Sequence, residues 1–400
     1  MNTDDRQLRA DPPGTSPGDG ATVSGNHRDG LRLAMAHHWF IEPRGGERVL
    51  AHLADMFPGA PILTSTARDP ASWWPAQIAA LRPRIVTGPT HPILRHLAGS
   101  RWGEPLLAAA LPLAMLGPFA IDWDEFDALL VSDAGLAKCI PAPPHVQRFV
   151  YLHTPMRFVW HDLQRTLARF PAAVHPIVRA AARVLRAVDR RAARRVDRWA
   201  ANSRITARRA ASAYNIPIER IRVIPPPIIR PPPAPELPRR GLLVVSSMQP
   251  YKRDDLAIAS ALRLGVALTV AGDGGLRRSL EALGGGRVHF TGAVTDQELD
   301  VLYRSAEALL FCGEEDFGLI PVEAMARGTP VIAFRAGGVL ETVVEGVSGI
   351  FFDLQTPEAV EGAIRAFFAR SWDPAAVRHA VERFSPVAFE RAIRGWLGRG

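Results

Sequence analysis

The sequence predicts an α/β protein made of two Rossmann-like, doubly wound domains facing one another across a cleft. Three observations carry this expectation. From Leu31 onward, short apolar stretches alternate with helical patterns, as in parallel sheets covered by helices on both faces. The alternation halts at a proline-rich segment and then restarts. A chain of 400 residues also has length for two or three domains, each with its own core.

In the first half, Leu31–His37 reads as a strand. It runs through the Gly45-Gly46 turn into a helix whose Val49, Leu50, Leu53 and Phe57 recur at helical spacing. Ala128–Ser132, Arg148–His153 and Ile221–Ile224 are further strands, with a long helical region over Val174–Ala200. Pro225–Arg240 is too rich in proline for a helix or a central strand and reads as a semi-rigid linker. Beyond it come strands at Gly241–Ser246, Val266–Gly272, Arg287–Gly292, Ala306–Phe311, Pro330–Phe334 and Gly349–Asp353. The expected boundaries are a disordered polar tail (1–29), a first domain (30–225), the linker (226–240) and a second domain (241–375). In such sheets ligands sit at strand C-termini.

Composition narrows the class. Hydrophobic residues make up 47% and charged ones 22%, which excludes collagen-like, coiled-coil and wholly disordered chains. Cys139 and Cys312 can build neither a disulfide framework nor a metal quartet, so a reducing cytoplasm is the expectation. The tail lacks the apolar core of a signal peptide. The apolar run Pro105–Ile121 is too short, and too interrupted by Pro112, Gly117 and Pro118, to span a membrane. A net charge of +8 points to an anionic partner. Lys138 and Lys252 are the only lysines among 48 basic residues, and a compact ammonium that survives such an arginine bias draws attention.

The richest string is Glu314–Glu341. Glu315 and Glu323 are separated by seven residues, Phe317-Gly318 among them. A helix starting near Gly318 would aim its free N–H groups and positive dipole end into the cleft, which suits a diphosphate. Carboxylates beside a phosphate would accept hydrogen bonds from sugar or ribose hydroxyls; the bland alternative is a pair of solvated helix-surface glutamates.

This string resembles the C-terminal signature of family 4 of the glycosyltransferases, retaining enzymes of the two-lobed GT-B fold. Other segments resemble that family in order: Met35–Leu50 its Gly-Gly-x-Glu-Arg loop, Tyr151–Asp162 its His-Thr-Pro-x-Arg segment, Ala201–Arg204 its Asn-Ser turn, and Gln249–Ile258 its Pro-Tyr-Lys-Arg loop. The resemblance runs from about Leu31 to the C-terminus. It implies a hexosyltransferase that moves a sugar from a nucleotide diphosphate donor to a hydroxyl of a glycan or lipid-linked acceptor, with retention at the anomeric carbon. The matched branch builds bacterial surface polysaccharides and often uses GDP-mannose. The fold implied includes C-terminal helices (376–400) that cross back to the first domain.

By the same resemblance His153 and Glu315 are the catalytic candidates. Donor binding falls to Gly45, Gly46, Ser247, Lys252, Arg253, Val294, Glu315, Phe317, Gly318, Leu319 and Glu323. Ser247 stands where the family usually places an arginine, which leaves the diphosphate to Lys252, helix N-termini and Arg253. Arg157 would bind acceptor or phosphate, or be a salt-bridged helix start. No cofactor or metal is implied. Asp122-Trp123-Asp124 matches the metal-binding pair of single-lobe glycosyltransferases but reads here as helix-start acid.

Two open points concern partners. An apolar stripe of Ile177, Ala181, Val184, Leu185, Val188, Ala192, Val196 and Trp199 faces a basic one of Arg179, Arg183, Arg186, Arg190 and Arg194. It is either one core-packed helix with a solvated basic face or a surface that rests on anionic lipid at the inner face of the plasma membrane. A non-catalytic nucleotide-sugar-binding protein and a GT-B epimerase or phosphorylase are the rival readings. Nucleic acid is disfavoured, because no aromatic-interleaved strand accompanies the basic residues.

Overall fold

The computed structural model describes residues 31–41, 45–70, 74–88, 119–168, 170–230, 232 and 235–398. The expected tail, and all of the apolar run Pro105–Ile121 except its last three residues, lie outside them. The first sheet contains β1 (Leu33–His37), β2 (Ile62–Thr64), β3 (Ile85–Thr87), β4 (Ala128–Asp133), β5 (Gln147–Leu152), β6 (Arg198–Ala201) and β7 (Ile221–Val223). Their order is β3-β2-β1-β4-β5-β6-β7, every pair parallel. The second sheet holds β8 (Leu242–Val245), β9 (Leu268–Ala271), β10 (His289–Gly292), β11 (Ala308–Phe311), β12 (Val331–Phe334) and β13 (Gly349–Phe352), in the order β10-β9-β8-β11-β12-β13.

Helices cover both sheets. Those used below are α1 (Gly45–Met56), α2 (Arg157–Trp160), α3 (His175–Ala193), α4 (Arg204–Tyr214), α5 (Asp254–Leu264), α6 (Leu319–Ala326), α7 (Pro374–His379) and α8 (Pro386–Trp396). Successive strand residues feed opposite cores, as a pleat requires. In β1, Leu33 and Met35 join one apolar cluster while Ala34 and Ala36 join the other.

Three features depart from the sequence expectation. Strands β2, β3 and β6 were not foreseen. The first two have three residues each, too few for a visible period; β6 lay inside the stretch expected to be helical. The helix stops at Ala193 rather than Ala200, because Arg198–Ala201 pairs with β5 and extends the sheet.

The rotation of α3 also differs. Ile177 and Val184, which the core-packed reading places inside, are 70% and 63% exposed, while Ala182 and Asp189 face inward. The cause is a buried ionic cluster. Lys138 Nζ lies 2.7 Å from Asp133 and 2.5 Å from Asp189, all three side chains being fully buried, and Trp160 Nε1 donates to Asp189 at 2.8 Å. Asp189 cannot face the core without that ammonium, so the pair turns the helix. The five-arginine face is reduced in turn. Arg186 donates to Val159 O and Arg190 to Ala213 O, both guanidinium groups lying over the Trp160 ring; Arg179, Arg183 and Arg194 stay exposed.

The chain crosses between lobes twice. The return crossing begins later than residue 376, because Val377, Val381 and Phe384 belong to the second lobe's core. Only α8 reaches the first lobe, where Phe389, Ile393 and Trp396 are buried and Phe389 and Trp396 meet Tyr151 and Phe149 edge-on. Phe389→Ala is therefore expected to destabilise the full chain by about 3–5 kcal/mol in urea unfolding. Val387→Ala, on the exposed side of the same helix, should change stability by less than about 0.5 kcal/mol.

Candidate functional site

Each sheet has a point where neighbouring strands send their chains in opposite directions: between β1 and β4 in the first, between β8 and β11 in the second. Crevices open at the C-terminal ends of such strands. The loops leaving those ends meet one another. Gly45, opening α1, would bring a Cβ to 2.6 Å from Leu319 Cδ1 at the start of α6. Ser203 Oγ donates to Asp316 O at 2.5 Å, and the first amides of α4, Arg204 and Ile205, are capped by Glu341.

The loop Cys312–Gly318 shapes the second lobe's side. Gly318, with φ of 82°, takes a left-handed conformation as it starts α6. Gly338 presses so close that a Cβ there would lie 2.3 Å from Phe317 Cα, and its N–H donates to Glu315 O. The paired glycines Gly337-Gly338 thus buttress the turn that presents Glu315. The Phe317 side chain is buried against Phe384, so only its backbone is available to the cleft.

Lys252 ends the loop after β8 and is nearly buried, with its ammonium on the Glu315 carboxylate. Glu323, on the second turn of α6, accepts from Tyr303 Oη at 3.0 Å. Arg48 approaches it from the first lobe and pairs with Asp296 at 2.7 Å. Burial opposes the Arg48 charge, yet Glu323 and Asp296 hold its pKa above the usual arginine value. Lys252 and Glu315 thus pair within the second lobe, Glu323 lies in the field of Arg48 from the first lobe, and Gly45 meets Leu319 at the start of α6.

His153 follows β5 on the opposite wall. Its Nε2 lies 2.8 Å from Ser132 Oγ, and its carbonyl accepts from Asn202 Nδ2 at 3.0 Å. Gly46 rests against its ring and that of His37. Protein packed around the ring, reinforced by neighbouring His37, pushes the His153 pKa down to about 3. Arg157 bridges the lobes: it donates to Glu314 O at 3.0 Å and lies over the Tyr251 ring.

Other predicted residues stand apart. Ser247 is exposed and touches the Gly272–Gly275 turn through its backbone; Arg253 turns onto Asp255; Val294 packs partly on the second core. Asp122 caps the short helix Trp123–Glu125 by accepting from Asp124 N, the helix-start role expected of it. Burial raises the Asp254 pKa to about 6, with Ser246 donating to its carboxylate beneath the Lys252 loop.

Sequence reasoning overlooked Arg48, Arg209 and Asp316. Arg209 pairs with both Glu314 and Asp316 across the lobes. A basic residue on the exposed stripe of one helix carries no mark of a partner more than a hundred residues away; only Arg48, beside Gly45-Gly46, had a local clue.

Comparison with known proteins bears on the fold and on the second half of the chain. Residues 228–382 match the family model described as Glycosyl transferases group 1. A D-inositol 3-phosphate glycosyltransferase of Acidothermus cellulolyticus is 31% identical over 234 residues, 50% of this chain and 52% of that one. One from Geodermatophilus obscurus is 30% identical over 211 residues, 44% and 46%. The matches span about half the length of these curated relatives. Among solved structures, Anabaena Alr3699/HepE in complex with UDP and glucose aligns with a TM-score of 0.63 at 18% identity, covering 92% of this chain and 99% of that one. The lipopolysaccharide outer core galactosyltransferase WaaB gives 0.59 at 16%, with the same coverages. They share the fold of two Rossmann-like lobes across a cleft.

The His153 environment has a pH signature. Below about pH 6.5 the unfolded chain binds a proton that folded His153 refuses until about pH 3. Its contribution is full above 6.5 and is lost as the pH falls through that window. His153→Asn should therefore lose less stability than the parent between pH 6.5 and 3, read from urea midpoints at each pH.

Proposed function

We propose that this protein is a retaining, metal-independent glycosyltransferase of family 4 that moves a hexose from a nucleotide diphosphate sugar to a hydroxyl acceptor. The bond from the anomeric carbon to the diphosphate oxygen breaks, a bond to the acceptor oxygen forms, and the acceptor's proton is released. The observation that carries the reading is the Lys252–Glu315 pair, joining the loop after β8 to the loop that leads into α6, whose first residue Leu319 meets Gly45 of the other lobe. A diphosphate would draw Lys252 off Glu315, freeing that carboxylate for sugar hydroxyls. The Phe317–Leu319 amides and the helix dipole would meet the negative charge that grows on the leaving group. Glu323 would bind ribose hydroxyls, and neutral His153 would contact the transferred sugar. Ser247, Arg253 and Val294 would line the outer donor site.

The acceptor would enter from the first lobe as a glycan or a lipid-linked glycan. The relatives named for D-inositol 3-phosphate also favour a polyhydroxylated, phosphate-bearing acceptor. GDP-mannose is the donor to test first, against UDP- and ADP-sugars in a thermal-shift screen, since a ligand of the folded state raises its melting temperature. With the best donor, Glu315→Ala should slow transfer by about 100-fold or more, measured as nucleotide diphosphate release. Lys252→Ala should weaken binding of the nucleotide diphosphate by at least about 10-fold. Release unchanged in Glu315→Ala would end this assignment.

Exposed Ile177 and Val184 on α3, flanked by Arg179, Arg183 and Arg194, favour a site of action on an anionic membrane surface at the cytoplasmic face. No described helix is long and apolar enough to cross a membrane. The chain should sediment with vesicles containing phosphatidylglycerol and be released by high salt, and Ile177→Glu with Val184→Glu should abolish the binding. Binding indifferent to anionic lipid would remove the membrane from the proposal.

A further inference from the structure

Behind His153 lies a line of polar side chains that the proposed reaction does not use. His37 ends β1 and is fully buried, as is Ser132 near the end of β4; Glu47, in the first turn of α1, is 2% exposed. His37 Nε2 lies 3.4 Å from Glu47 Oε1. His37 Nδ1 lies 3.0 Å from the Ser132 carbonyl oxygen and 3.1 Å from Ser132 Oγ. Ser132 Oγ in turn lies 2.8 Å from His153 Nε2. The strand register makes the line, since His37 and Ser132 are directly paired across β1 and β4.

The direction of the hydrogen bonds follows from the one group that can only accept. A carbonyl oxygen 3.0 Å from His37 Nδ1 requires a proton on that nitrogen. The other ring nitrogen, His37 Nε2, is left facing Glu47 Oε1. With His37 Nδ1–H facing the carbonyl and Oγ of Ser132, the serine hydroxyl finds no other acceptor among the described residues than His153 Nε2, and turns its proton there. His153 must accept there, so its remaining proton sits on Nδ1. That nitrogen has no protein partner among the described residues, and the ring is only partly buried. His37, His38 and Glu47 also place ligand atoms within 4.8 Å of one another. Both nitrogens of His37 are already engaged, which favours a hydrogen-bond line over a metal site.

We propose that Glu47, His37 and Ser132 are positioning residues that lock His153 as the Nδ1–H tautomer, so that its ring offers an N–H donor and not a lone pair to what binds in the cleft. The value of the lock rests on the glycosyl-transfer reading, in which such a donor meets a sugar oxygen; the tautomer itself does not.

The test therefore reads the tautomer directly. In full-length protein labelled with 15N-histidine, long-range 15N–1H spectra, with His153 assigned by its loss in His153→Asn, should show the Nδ1–H pattern. Ser132→Ala should move that signal toward the Nε2–H form common in free histidine, and Glu47→Gln should shift it partway. Ser132→Thr, which restores the hydroxyl, should return it. In transfer assays Ser132→Ala should lower kcat about 10- to 100-fold with donor KM nearly unchanged, and Ser132→Thr should recover most of it. An Nε2–H signal in the parent protein, or a tautomer indifferent to both Ser132→Ala and Glu47→Gln, overturns the proposal. A tautomer switch with kcat unaltered upholds the lock and overturns the role assigned to His153 in transfer.

Discussion

The geometry of this protein depends on the splaying of parallel strands at two points, β1/β4 and β8/β11. A parallel sheet needs a crossover after every strand, and where consecutive crossovers run to opposite sides the loops part. Each lobe therefore opens a crevice at one edge. Helices α1 and α6 begin at those edges and bring Gly45 and Leu319 into contact. The residues that gather there come from strands far apart in sequence, yet each lies in the loop or helix that follows a strand's C-terminal end.

Electrostatics settles how the edges meet. Second-lobe acids Glu314, Asp316 and Glu341 face first-lobe donors Arg157, Arg209 and the open amides of α4. These contacts use the unsatisfied groups of helix and loop ends, which would otherwise need water. Lys252 and Glu315 satisfy one another in the same way at the centre. A charge pair that can be separated by an incoming anion binds more selectively than a bare cation would, because the ligand must replace what it displaces.

The Asp133–Lys138–Asp189 cluster shows how a few buried charges override a hydrophobic pattern. Three ionic side chains without solvent hold the cap of β4, a short turn and α3 in one arrangement. Removing any partner would leave an uncompensated charge in the core, so the arrangement is strongly specified whatever its net contribution to stability. Its side effect is to turn Ile177 and Val184 outward on the helix that also exposes Arg179 and Arg183.

Much of this was legible beforehand. All six strands of the second sheet fall within stretches marked by their apolar runs, because a strand buried on both faces must be apolar throughout. The string around Glu315 and Glu323 and the place of Lys252 are likewise local signals, and the fold brings Lys252 onto Glu315. What the chain alone could not disclose were relations between distant positions: the pairing that makes Arg198–Ala201 a strand, the ammonium that turns α3, the interlobe partners of Arg48 and Arg209, and the line from Glu47 to His153. Local sequence determined where strands end and chemistry can sit. Tertiary structure alone decided which charges and protons face each other, because a pair's energy depends on distance in space and on burial, and neither is encoded at either residue separately.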